Sequence, residues 1–139
     1  ERDAPKLRDT VVMETGGMKG YREELPKEEF HRILCEAFGV GEIHSEYGMA
    51  ELTSQAYSQG GNRFRCPAWM RVATHDVNDP FKLLPAGARG GLNITDLANR
   101  WSCAFIQTQD IGRVFDDGSF EIEGRIDRSD IRGCNLLVQ

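Results

Sequence analysis

Three short stretches of the chain carry residue types suited to nucleotides and metals. Tyr47-Gly48-Met49-Ala50-Glu51 sets an aromatic ring, a glycine and a carboxylate close together. The ring offers a flat face, the glycine lets a ligand approach the backbone, and the Glu51 carboxylate suits a hydrated Mg²⁺. Gln107-Thr108-Gln109-Asp110-Ile111-Gly112 places Asp110 between a strand and a Gly-containing turn. A carboxylate there accepts hydrogen bonds from a ribose diol. Gly124-Arg125-Ile126-Asp127-Arg128-Ser129-Asp130-Ile131-Arg132-Gly133 alternates arginines and aspartates between glycines. That composition suits a phosphate or ribose clamp beside a hinge. Each stretch alone also fits an ordinary account: a strand-ending turn with a surface glutamate, a turn aspartate, a solvated salt-bridged loop.

The elements around these stretches give them positions. Val11, Val12 and Met13 run into Thr15-Gly16-Gly17, the pattern of a buried strand ending in a tight loop. Pro26 followed by Lys-Glu-Glu opens a helix. Phe30, Ile33, Leu34, Ala37 and Phe38 form its apolar face, and Gly39 and Gly41 end it. Glu42 to Tyr47 reads as a second strand, stopped by Gly48. Strand, helix, strand predicts a parallel α/β piece over 10–50. In such sheets ligands bind beyond the carboxyl ends of the strands, which is where Tyr47–Glu51 falls.

Past residue 53 the rhythm becomes period two. Met70, Val72 and Thr74, then Leu92 and Ile94, then Phe120 and Ile122 are the inward members. Asn78-Asp79-Pro80, Pro85-Ala86-Gly87, Gly90-Gly91 and Asp116-Asp117-Gly118 read as turns. Residues 54–123 are therefore expected to form a small antiparallel sheet or distorted barrel. The fold class is α/β followed by mainly antiparallel β.

Composition excludes some functions. The chain has 139 residues, is 40% hydrophobic, and carries a net charge of −5 with a pI near 5.2. Arg63 and Arg65 are close together, but no basic run builds a nucleic-acid surface. No apolar stretch reaches the roughly 18 residues of a membrane span, and no signal peptide is present. Cys35, Cys66, Cys103 and Cys134 form no CxxC pair and read as free thiols in a cytoplasmic protein. A thiol–metal site from Cys66, His75 and Cys103 matches no zinc spacing. The opening Glu1-Arg2-Asp3, without Met, leads us to expect a processed chain or part of a longer one.

The order of the stretches resembles the signature of the adenylate-forming superfamily of acyl-CoA synthetases, peptide adenylation domains and luciferases. That family carries a Gly-rich adenine loop, a Tyr-Gly-x-Thr-Glu element, an Asp after a strand and a Gly-Arg-x-Asp hinge. Thr15-Gly16-Gly17, Tyr47 to Glu51, Asp110 and Gly124 to Asp127 fall in that order. Leu84-Pro85-Ala86-Gly87, Gly90-Gly91-Leu92 and Asp117 to Arg125 resemble the intervening segments.

The resemblance implies roles. Gly16 and Gly17 lie against adenine, and Tyr47 stacks on it. Gly48, Met49 and Ala50 line the ATP or AMP site. Glu51 binds Mg²⁺, Asp110 holds the ribose, Arg125 contacts ribose or phosphate, and Asp127 is the hinge. Residues 1–53 become the second half of the nucleotide-binding α/β subdomain, 54–123 an antiparallel β subdomain, and 124–139 a hinge-like segment. The implied cofactors are ATP and Mg²⁺.

Within the superfamily the nearest resemblance is to acyl-protein synthetases of the bacterial luminescence type, with phenylacetate-CoA ligases next. Glu14-Thr15-Gly16-Gly17, Tyr47-Gly48-Met49-Ala50-Glu51 and Ile131-Arg132-Gly133-Cys134 carry it. It implies acyl-adenylate formation and then transfer to a thiol: CoA, a partner protein, or Cys134, with Arg132 lowering its pKa. Ala50 departs from the family's Thr. The resemblance implies that the phosphate loop and most of the acyl pocket belong upstream, in a missing N-terminal half, and that nothing within these residues plays the part of the lysine-bearing domain that follows the hinge in acyl-CoA synthetases. These residues alone are therefore expected to be inactive, with assembly into a homo-oligomer left open. A CoA ligase, or a degenerate nucleotide-binding or assembly module, are the competing accounts.

Overall fold

A computed structural model describes residues 7, 9–16 and 25–125. One helix and nine strands occur there, all strands in a single sheet. The strands are β1 (Met13–Glu14), β2 (His44–Tyr47), β3 (Ala56–Ser58), β4 (Arg63–Arg65), β5 (Met70–Asp76), β6 (Asp79–Leu83), β7 (Arg89–Asp96), β8 (Phe105–Val114) and β9 (Phe120–Arg125). Helix α1 spans Lys27–Phe38 between β1 and β2. The sheet order is β1-β2-β3-β4-β9-β8-β7-β5-β6. β1 and β2 are parallel, as a strand–helix–strand crossover requires, and every other pairing is antiparallel.

The helix begins and ends where its sequence predicts. Pro26 occupies the N-cap, Glu28 and Glu29 sit in the first turn, and Gly39 closes the helix in the left-handed region at φ 68°. Its buried stripe is narrower than its apolar face. His31 is buried while Ile33 and Phe38 are 40% and 39% exposed. The expected buried strand at Val11–Met13 also differs. β1 is two residues long, and Val11 and Met13 are 66% and 41% exposed. β1 is an edge strand among the described residues, paired on one flank only.

Two of the expected turns lie inside strands. The β5–β6 hairpin turns at Val77-Asn78, so Asp79 and Pro80 open β6. Proline is tolerated there because β6 is the other edge and needs no N–H at that point. Gly90 and Gly91 belong to β7. A side chain at Gly90 would run into the His75 carbonyl, and one at Gly91 into the His75 ring. Glycine here serves close approach rather than a turn. The Asp116–Gly118 turn is present, closed by Gly118 N–H to Phe115 O at 2.9 Å and Phe115 N–H to Ser119 O at 2.8 Å.

The sheet is curled but open. Tyr47 on β2 and Asp110 on β8 are four strand steps apart, about 19 Å along a flat sheet. Yet the Tyr47 hydroxyl donates to Asp110 Oδ2 at 2.7 Å. Only strong curvature brings them together. The concave side holds the core: Tyr47, Leu52, Ala56, Phe64, Met70, Val72, Leu92, Ile94 and Phe120. Phe64 and Phe120 stack at 5.5 Å, and Tyr47 meets both edge-on. The distorted-barrel expectation thus corresponds to curvature without closure.

A bulge between Ile111 and Gly112 lets β8 follow this curve against β9. A Cβ on Gly112 would collide with the Glu121 backbone carbonyl. Gly112→Ala is expected to cost about 1–3 kcal/mol, as overpacking against backbone does. An unchanged midpoint in urea unfolding would show that the bulge has room for a side chain.

Candidate functional site

The site is built where the parallel strands end. Glu14 of β1 is in register with Ser45 of β2, so Gly16 and Gly48 leave the same end of the pair. Gly16 has φ 102°, a conformation that favours glycine, and its N–H donates to Glu14 Oε2 at 2.6 Å. Glu14 also lies 3.5 Å from Lys27 Nζ and 3.4 Å from His31 Nε2. Burial pushes its carboxyl up, but hydrogen bonds from Ser45 and Gly16, with the Lys27 charge, leave it below its ordinary value. Lys27, at the start of α1, brings a cation to this end of the sheet that the motifs did not point to.

Tyr47 is the last residue of β2. Its ring belongs to the aromatic core and only 9% of the residue is exposed. Burial pushes the phenol's pKa up, reinforced by the Asp110 charge, so the hydroxyl stays protonated and serves as a donor. Asp110 lies within β8, where the sequence suggested the approach to a turn. Ile106 and Thr108 precede it at alternate positions on the core side, so Asp110 faces Tyr47. Its own N–H donates to Thr108 Oγ1 at 3.1 Å.

Arg125 completes the group. It is opposite Asp110 in the β8–β9 register, with Nε 3.3 Å from Asp110 Oδ1. Simple alternation would put it on the outer side with Glu121 and Glu123; Glu123 bonds Arg89 and Arg113 there. The bulge adds one residue on β9 and reverses the parity. Gly124, at φ 153°, sits in that step and lets the turn-over occur. Asp110 keeps free lone pairs beside these two partners, since a carboxylate offers about four acceptor positions.

Gly48 to Glu51 form the loop after β2. Met49 is half-buried against the core, while Ala50 and Glu51 are exposed. Leu52 N–H donates to Met49 O at 3.1 Å, closing a turn around Ala50 and Glu51. No hydrogen bond or ion pair engages the Glu51 carboxylate among the described residues, and Glu51 is exposed to solvent. Nor does any group of three or more His, Cys, Asp or Glu converge there on a metal position. One open carboxylate fits Mg²⁺, which takes most ligands from phosphates and water, and does not fit a protein-caged metal. His75 lies 2.8 Å from Gln107 Nε2 rather than in a cysteine site. Gly17, Asp127 and Cys134 lie outside the described residues.

The sequence reading missed what holds this loop. Asp96, fully buried at the end of β7, accepts from Thr53 N–H at 3.1 Å and Ser54 N–H at 2.8 Å through Oδ2. Its Oδ1 accepts from Ser54 Oγ at 2.8 Å and from Ala98 N–H at 3.1 Å, capping a single 3-10 turn at Leu97–Asn99. Burial pushes the Asp96 carboxyl up, and these donors outweigh it and hold the group below its ordinary value. Asn99 Nδ2 donates to Glu51 O at 2.7 Å and Cys103 O at 2.8 Å, and its Oδ1 accepts from Thr53 Oγ1 at 3.0 Å. Trp69 Nε1 adds a bond to Ser54 Oγ at 2.8 Å. An Asp two residues after Ile94, continuing the Leu92–Ile94 alternation and opening Asp-Leu-Ala-Asn, is a capping pattern and was the available signal.

Among the described residues no helix is long and apolar enough to cross a membrane. No family model matches the chain. It is 26% identical over 141 residues to a long-chain-fatty-acid–luciferin-component ligase of Vibrio harveyi, covering 94% of this chain and 37% of that protein. Its fold matches a benzoate CoA ligase from Burkholderia xenovorans with TM-score 0.57 at 17% identity, covering 84% of this chain and 26% of that one. An anthranilate CoA ligase in complex with anthranoyl-AMP matches equally, with TM-score 0.57 at 19% identity, over 84% and 24% of the two chains. The chain thus spans little more than a third of the curated relative and about a quarter of the solved ligases. Sequence and fold agree with the motif order: the chain resembles the adenylate-forming superfamily, its bacterial luminescence-type ligases in particular, and corresponds to a C-terminal portion of such enzymes.

Proposed function

We propose that this chain is the nucleotide-facing portion of an ATP-dependent ligase that activates a carboxylic acid as its acyl-adenylate and then passes the acyl group to a thiol. The carrying observation is the Tyr47–Asp110–Arg125 group, assembled from three strands beside the Gly16 and Gly48 loops. In this reading 1–53 finishes the α/β nucleotide subdomain, 54–123 is the β subdomain and 124–139 the hinge segment.

The chemistry follows from charge. A carboxylate oxygen of the acid attacks the α-phosphorus of ATP, the bond to the pyrophosphate oxygen breaks, and pyrophosphate leaves. A thiolate then attacks the acyl carbon and AMP departs. Asp110 receives the ribose hydroxyls, held in place by the Tyr47 hydroxyl and Arg125, so the ribose is oriented by a preset acceptor. Arg125, nearly half exposed at its side chain, keeps donors for ribose or phosphate. The Tyr47 ring is packed in the aromatic core, so the stacking that the resemblance implies would need it to move, and adenine is received by the exposed backbone of Gly48 opposite the Gly16 loop. Glu51 would hold Mg²⁺, which when bound neutralises phosphate charge. Ala50 leaves that loop without the hydroxyl that a Thr supplies.

The acid acceptor differs among relatives, and the thiols here are unequal. Burial raises the Cys66 pKa to about 11, which makes it a poor nucleophile. Cys134 beside Arg132 remains our acceptor for an acyl-enzyme step. CoA is the second reading, favoured by the fold shared with CoA ligases.

Pyrophosphate release by the full-length protein over a panel of acids tests the proposal. One acid should drive ATP-dependent release, and Asp110→Ala should weaken ATP binding at least tenfold, since it removes a charged hydrogen-bond acceptor worth about 1.5–3 kcal/mol. Absence of pyrophosphate release with every acid tested would reject the reaction, and unaltered ATP affinity in the variant would reject the ribose role. Cys134→Ser should leave pyrophosphate release intact and abolish a stable labelled acyl-enzyme; persistence of the label would move the acyl group to another residue.

A further inference from the structure

We infer that Asp96 and Asn99 are positioning residues for Glu51, setting the metal-facing loop in its working geometry from the far side of the curled sheet. The inference rests on the proposed reaction for its purpose, but on hydrogen bonds alone for its geometry.

Glu51 is flanked on both sides by fixed backbone. Before it, Met49 is anchored against the core, and Met49 O accepts from Leu52 N–H at 3.1 Å. At it, Asn99 holds the Glu51 carbonyl at 2.7 Å. After it, Leu52 is buried and the Thr53 and Ser54 amides end on one Asp96 oxygen. The side chain of Glu51 projects from this frame into solvent. The loop belongs to the β2 side of the sheet and its anchors to the β7 end, so the frame also locks the curvature.

A surface turn needs none of this. Burying a carboxylate costs several kcal/mol and is tolerated only when its lone pairs are filled. Here all the bonds to the Asp96 carboxylate from outside its own turn come from Thr53 and Ser54. Asn99 is likewise 8% exposed and spends its amide on the loop and on Cys103. Partners behind a metal-binding carboxylate typically alter metal affinity 10–100-fold when removed.

The test uses the full-length protein with Asp96→Asn, Asn99→Leu and the milder Ser54→Ala, each checked for folding by circular dichroism. Three readouts apply: Mn²⁺ binding in the presence of ATP by electron paramagnetic resonance, ATP binding without divalent cation, and amide hydrogen exchange over 48–54 in the ligand-free protein. Mn²⁺ affinity should fall about tenfold or more in Asp96→Asn and Asn99→Leu. Metal-free ATP binding, which reads Tyr47, Asp110 and Arg125, should change by less than about twofold, and exchange at Thr53 and Ser54 should accelerate. On a Glu51→Gln background Asp96→Asn should add no further loss, because both act through one group.

Unchanged Mn²⁺ affinity in folded variants overturns the inference. An equal fall in metal-free ATP binding does so too, as does misfolding of all three variants, since each makes the network a folding element only. A wild-type protein that binds Mn²⁺ with ATP but releases no pyrophosphate loses the proposed reaction and keeps the positioning. One that binds no Mn²⁺ with ATP loses both.

Discussion

The bond between the Tyr47 hydroxyl and Asp110 joins strands that a flat sheet would hold far apart. It is the point on which the rest of the architecture turns. To make it, the sheet must curl so that β2 faces β8 across a core only a few side chains thick. Phe64 and Phe120, register partners on the intervening strands β4 and β9, stack on one another beneath the Tyr47 ring and fill the core that results. The Tyr47–Asp110–Arg125 group is therefore not decoration on a finished scaffold. Its carboxylate, phenol and guanidinium are held at contact distance by the same curvature that buries Leu92, Ile94 and Met70.

Curvature on this scale has to be made somewhere, and glycines make it. Gly112 lets β8 press against the Glu121 carbonyl, and Gly91 makes room for the ring of His75. Gly124 turns the end of β9 over. Each relieves a different steric obstacle. In sequence they look alike, and two of them look like turns.

That is why the fold was legible in part. Helix α1 could be placed from Pro26 and Gly39 because its caps are local. The alternation of Met70, Val72 and Thr74, of Leu92 and Ile94, and of Phe120 and Ile122 gave correct strands because burial there is one-sided. β3 and β4 were not found: three residues each, they are too short to show a period. Asp110 and Gly112 were placed near a turn because no local signal separates a glycine that bends a chain from one that admits a neighbour's backbone. Three residues taken from separate motifs, Tyr47, Asp110 and Arg125, do converge in the fold. Arg125 reaches Asp110 only through a parity reversal that alternation could not foresee. Asp96 was hidden because its partners, Thr53 and Ser54, are more than forty residues away in sequence.

The two margins of the sheet have opposite chemistry. β6 is exposed along its length, opens with Pro80, which has no N–H, and spends the Phe81 N–H on the Asp79 carboxylate at 3.2 Å. Lys82 and Asp76 pair beside it at 3.1 Å. Such a margin offers an incoming strand few free donors and a row of charge. β1 carries no proline, and its Met13, like Val11 just before it, is exposed. Among the described residues the sheet thus has one margin guarded by proline and paired charge, which resists cross-molecular zippering, and one margin beside the parallel pair that carries no such guard.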